Sequence, residues 1–158
     1  MTAGIRRALT VALAALTSAV GAVAVAAPAQ AAVPYTCSVY GYTNGRTVIA
    51  DNEGVGQAGG AHVYADICWA PRGDGYYNTL VVWDVQDTLA DGSGATIRME
   101  WTGTDGDVHY DVPPANQRAW TYLSTAEGSW QRNNIKGLYI RACLTNTNSE
   151  GHHCGTKA

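Results

Sequence analysis

The residues whose types and spacing offer chemistry are densest in "DVQDTLADGSG", residues 84–94. Asp84, Asp87 and Asp91 fall at intervals of three and four, with Gly92 and Gly94 close behind. Calcium wants several oxygen ligands on a tight, glycine-bent loop, so this segment is the natural place to look for it. The spacing argues against a metal loop. Leu89 stands between Asp87 and Asp91 where an oxygen ligand belongs, and no Glu closes the segment. Asp side chains also bond their own backbone, and Asp91-Gly92 favours a chain reversal. The segment therefore reads first as a hairpin connection, with calcium at Asp84, Asp87 and Asp91 as the lesser option. Asp105 and Asp107 in "TDGD" read the same way.

Other chemistries find less. G-x-S-x-G and H-E-x-x-H are both missing. Glu100, expected on a solvent face, could belong to a pair of glycosidase carboxylates, but so could almost any acid in this chain, so it is no signal. The four cysteines are even in number, which in an exported chain means disulfides. Cys143 and Cys154 are close in sequence across turn-forming "NTNSEG", so they are expected to pair, leaving Cys37 with Cys68. Each bridge is worth about 3 kcal/mol in the chain-entropy model. Zinc held by Cys154 beside His152 and His153 is the competing reading, and it lacks C-x-x-C spacing. No catalytic residue and no cofactor is assigned.

The compartment follows from the leader. Arg6 and Arg7 precede an apolar, alanine-rich run, and "APAQA" offers small residues to a signal peptidase. Residues 1–31 read as a signal peptide and residues 32–158 as one secreted domain of 158 − 31 = 127 residues. Without Arg6 and Arg7, eight basic residues face thirteen acidic ones, a net charge of 8 − 13 = −5. That balance excludes a nucleic-acid footprint and gives no attraction to an anionic membrane. No membrane insertion is expected after cleavage.

The elements that must position any site are strands. "AHVYADICW" alternates with Ala61, Val63, Ala65, Ile67 and Trp69 on one side. "ATIRMEW" puts Ala95, Ile97, Met99 and Trp101 inward, and "GLYIRACL" does so with Leu138, Ile140, Ala142 and Leu144. "DVHYDV" puts Val108, Tyr110 and Val112 inward. Period two with one apolar face marks half-buried antiparallel strands. Turns at Asn44-Gly45, "PRGDG", "TDGD" and "VPPANQ" separate them, and residues 51–60 read as a mobile glycine-rich loop. The expected fold is all-β: an antiparallel, Ig-like β-sandwich of seven or eight strands, with a small β-barrel as the alternative. Strict alternation puts Cys68 and Cys143 on the polar side, so either their bridges lie on an outer face or a bulge shifts the phase.

Across "VWDVQDTLADGSGATIRMEW" and "IRACLTNTNSEGHHCG", the chain resembles small actinobacterial exported β-proteins. They share a D-T-x-x-D-G segment and a late R-A-C strand followed by C-G. The resemblance implies export, disulfides and β-architecture, and it brings no activity with it.

Five Trp and nine Tyr with no Phe supply the last signal. Such side chains pair a large apolar body with a polar tip and are enriched at binding surfaces. Tyr64 and Tyr139 follow the outward phase, Tyr76 and Tyr77 sit in loop 70–78, and Trp130 sits in loop 125–135. These five are the candidate binding residues. The expectation is a secreted, non-enzymatic protein that binds another extracellular protein, as an inhibitor or adaptor. Binding a cell-surface glycan through the same aromatics is the alternative, and an enzyme of unrecognised type is a third.

Overall fold

A computed structural model describes residues 32–53 and 59–158. The expected signal segment and the middle of the glycine-rich loop, residues 54–58, lie outside the described residues. No helix among the described residues is long and apolar enough to cross a membrane.

A short helix, α1 (Tyr35–Val39), precedes seven strands. These are β1 (Asn44–Asp51), β2 (Ala61–Pro71), β3 (Tyr77–Asp87), β4 (Gly94–Thr102), β5 (Val108–Asp111), β6 (Thr125–Asn146) and β7 (Ser149–His152). All pairings are antiparallel, in the order β1-β2-β3-β6-β4-β5, with β7 also on β6. The all-β, sandwich-like fold follows from the alternation. The two layers, however, are one sheet folded over. The first half of β6 pairs with β3, from Thr125 opposite Gln86 to Ile135 opposite Tyr77. Its second half pairs with β4, from Lys136 opposite Thr102 to Thr145 opposite Gly94. Asn134 (φ 60°) and Gly137 (φ 61°) bracket the handover, where left-handed backbone turns the strand from one layer to the other. The path does not close, because β1 and β5 end it without pairing to each other, so the barrel alternative is not realised.

Val63, Ala65, Ile67, Val81, Trp83 and Val85 of the first layer meet Ile97, Met99, Trp101, Ile140, Ala142 and Leu144 of the second in one core. Both disulfides form as expected, Cys37–Cys68 and Cys143–Cys154. Cys68 lies on the outer face of the first layer, where α1 covers it. There Cys37, Cys68 and Leu80 form a second small core with Val33, Tyr42 and Val82. Alternation was therefore right for Cys68, and no bulge is needed.

Several expectations are corrected. Asn44-Gly45 opens β1 and is not a hairpin turn; positive φ falls at Gly41 instead. Residues 88–93 are not a hairpin either, since β3 and β4 are not neighbours and the segment crosses between layers. In β5 the phase is inverted. Tyr110 is 67% exposed and Val108 is exposed too, while His109 stacks on Trp101 with ring centroids 5.7 Å apart. As a four-residue strand at the end of the sheet, β5 takes its phase from that stack and not from its aliphatic residues. Residues 125–135 belong to β6 and are not a loop.

Candidate functional site

The five aromatics chosen from sequence are not brought together. Tyr64 faces outward on the first layer, in register with Ile49 and Asp84. Tyr139 is exposed on the outer face of the second layer, opposite Glu100. Tyr76 and Tyr77 are half-buried at one end of the sandwich, where the Lys136 ammonium lies 5.2 Å from the Tyr76 ring centroid. Trp130 points between the layers. It packs on Trp101 at 5.0 Å, and its indole N–H donates to Asp111 Oδ2 at 3.0 Å.

Exposed large apolar side chains occur on and beside α1, at Tyr35, Val39 and Tyr40, and again in a loop just after the "VPPANQ" break that sequence reading passed over. Between a 3₁₀ turn (Ala115–Gln117) and β6 the chain reads "RAWTYLS". Trp120, Tyr122 and Leu123 are 40%, 54% and 60% exposed. Such exposure usually goes with mobility, yet this loop is held at nearly every residue. Ala119 exchanges both backbone hydrogen bonds with Ala95, at 2.7 and 3.0 Å. The Trp120 indole N–H donates to the Ala115 carbonyl at 2.7 Å. Ser124 N–H donates to the Thr121 carbonyl at 2.8 Å, and its hydroxyl accepts from Thr121 N–H at 3.1 Å. Leu123 adopts φ 63°, a left-handed conformation that few β-carbon-bearing residues take, and one that persists only where the surroundings enforce it.

Asp87 is the enforcing residue. Its carbonyl accepts from Leu123 N–H at 2.8 Å, and its N–H donates to the Ser124 carbonyl at 3.1 Å. Its side chain is buried, with Oδ1 accepting from Leu89 N–H at 3.1 Å and Oδ2 finding no partner among the described residues. Burial pushes its pKa up, against that hydrogen bond. The D-T-x-x-D-G segment thus anchors the apolar loop. The three carboxylates proposed for calcium are apart in function. Asp84 faces outward, Asp87 faces inward, and Asp91 Oδ1 accepts from Ser93 N–H at 2.8 Å in the crossing turn. Among the described residues no group of three His, Cys, Asp or Glu side chains is placed to hold a metal. Cys154 is in a disulfide and offers no thiolate for zinc.

Charge is divided between the outer faces. On the second layer Glu100 is buried, contrary to the expected solvent face, and three cations surround it. Its Oε1 accepts from Arg98 and from Arg141, the latter at 2.9 Å, and Lys157 lies 3.4 Å from Oε2. Burial raises the pKa of Glu100, but hydrogen bonds and charge from Arg98 and then Arg141 outweigh it and hold the carboxyl below its ordinary value. His109 Nε2 sits 2.9 Å from Asp105 Oδ2, which lowers the Asp105 pKa, and the ring face rests on Trp101.

The chain matches no known protein-family model, no curated protein and no solved structure. The candidate site therefore rests on geometry alone.

Proposed function

We propose that this is a secreted, non-enzymatic binding protein that docks onto another extracellular protein, as an inhibitor or adaptor, through Trp120, Tyr122 and Leu123. The observation that carries this reading is the loop itself: three adjacent large apolar side chains, exposed, on a backbone fixed by Asp87 and Ala95. Trp and Tyr are the residues most enriched among those that dominate binding energy. A pre-ordered loop also loses little entropy on association. An alanine-rich leader and two disulfides support export. The reading calls for no cofactor.

The test is affinity capture from culture supernatant with the native protein and with Trp120→Ala/Tyr122→Ala. A partner retained by the native protein should bind the double variant at least about 30-fold more weakly, given about 2 kcal/mol or more for such anchors. Trp120→Ala also removes the indole bond to Ala115, so the double variant should melt slightly lower, while Tyr122→Ala alone should weaken capture with its melting temperature unchanged. Equal capture by both proteins, or no capture by either, overturns the reading.

A further inference from the structure

The outer face of the first layer carries a groove that the apolar loop does not use. One bank is the turn after α1. The Cys37–Cys68 bridge ties it to β2, Tyr42 N–H donates to the Cys37 carbonyl at 2.9 Å, and Gln131 Nε2 donates to the Tyr42 hydroxyl at 3.4 Å. The floor is made by alternate residues of β3 and β6. Leu80 lies opposite Gln131, Val82 opposite Ser129, and Asp84 opposite Glu127. Two hollows of about 480 Å³ each share Tyr40 and Ser129, so they form one trough. From Glu127 to Asn133 the trough follows β6 for roughly 20 Å, at ~3.3 Å per residue.

Its chemistry is specific. The Tyr40 ring, 60% exposed, stands at the middle, above a narrow apolar strip of Leu80 and Val82. Around it are amides, hydroxyls and two carboxylates. No Arg or Lys lines it among the described residues. Asp84 and Glu127 take part in no ion pair among the described residues, although like charges placed directly opposite across strands repel. Asn78, at one end, keeps a buried Oδ1 with no partner among the described residues. Ionised carboxylates only accept hydrogen bonds, so what completes this floor must bring donors. It must also bring a flat apolar face for Tyr40 and carry no negative charge. A protein partner would want a larger apolar centre than Tyr40, the half-buried Tyr42 and two aliphatic residues supply.

We infer that this trough binds a neutral oligosaccharide. Tyr40 lies against the apolar face of a sugar ring, Asp84 and Glu127 accept hydrogen bonds from its hydroxyls, and Gln131 and Ser129 bond along the chain. The inference is independent of the protein-binding loop and uses aromatics other than the scattered five.

Titration calorimetry of the purified protein against cellohexaose, laminarihexaose, maltohexaose and N-acetylated chitohexaose tests it, with hyaluronan as the anionic control. At least one neutral hexaose should bind with micromolar to low-millimolar affinity, and hyaluronan should not. Tyr40→Ala, an exposed truncation that leaves the fold intact, should weaken binding about ten-fold or more, the equivalent of ~1.4 kcal/mol. Asp84→Asn/Glu127→Gln should weaken it as well, while Trp120→Ala/Tyr122→Ala should leave it unchanged. Failure of all four hexaoses to bind, or binding that Tyr40→Ala leaves intact, overturns the inference without touching the protein-binding reading.

Discussion

Leu123 carries strain that the fold does not need for its core. Its side chain is exposed and its backbone sits at φ 63°, a conformation costing about 1–2 kcal/mol for a residue with a β-carbon. Glycine takes it freely. Leu123→Gly should therefore raise stability by about 1 kcal/mol in thermal denaturation, even though it loosens the unfolded chain. The same change should weaken partner capture, because it removes an apolar side chain from the docking loop. A stability loss on this substitution would show that Leu123 is held by packing and not against strain. The sequence carried a faint sign of this site. Trp120, Tyr122 and Leu123 put three large apolar residues into four positions, too short a stretch for a strand and too apolar for a polar turn. The positive φ and the clamp by Asp87 depend on a strand end 36 residues earlier (123 − 87), and no local pattern reports that.

Among the elements, legibility followed burial. β2, β4 and the second half of β6 each keep one face in the core, so their alternation was plain. The first half of β6 was missed for a physical reason. Its inward positions are Ala126, Gly128 and Trp130, because the Trp83 ring lies across Gly128 and leaves no room for a side chain. A strand with glycine where an aliphatic residue is expected reads as a loop. Gly45 makes the same point in β1. A β-carbon there would fall on Cys37 Sγ, so the glycine is a seat for the bridge that fixes α1 and not a turn residue. Gly45→Ala should cost about 1–3 kcal/mol in denaturant unfolding, the range for overpacking a tight contact. It should also shift the Tyr40 bank, weakening hexaose binding while partner capture stays intact. If unfolding were unchanged, the close approach of α1 to β1 would be wrong.

At the scale of the whole molecule the two outer faces differ in sign. Asp84 and Glu127 lie exposed on one, with no ion pair among the described residues, while Arg98, Arg141 and Lys157 converge on Glu100 on the other. Glu100 ties β4 to β6 and to the C-terminal tail, which itself bonds along β6 from Ala158 to Ile140 at 3.0 and 3.2 Å. Its folded pKa is depressed, so its contribution is present above the unfolded carboxyl value and is lost as pH falls through the lower folded value. Glu100→Gln should remove about 2 kcal/mol near neutral pH, less than a fully enclosed pair because the cations reach solvent. The loss should shrink as the pH is lowered through the carboxylate range, in equilibrium unfolding measured at stepped pH. A constant difference across that range would mean the side chain acts by packing alone.

The sharing of β6 between layers also sets the order in which the chain can fold. β3 pairs with residues 39 to 58 positions later (125 − 86 and 135 − 77), and β4 with residues 34 to 51 positions later (136 − 102 and 145 − 94). Such distant pairings make folding slow, because loop closure precedes the contacts that reward it. A chain emerging from its N-terminus must hold one open edge on β3 and one on β4 until residues 125–146 arrive. β1-β2-β3 and β4-β5 can pair early, but joining the two layers around one core waits for β6, and the interval before it is when the open edges are most exposed to aggregation and proteolysis.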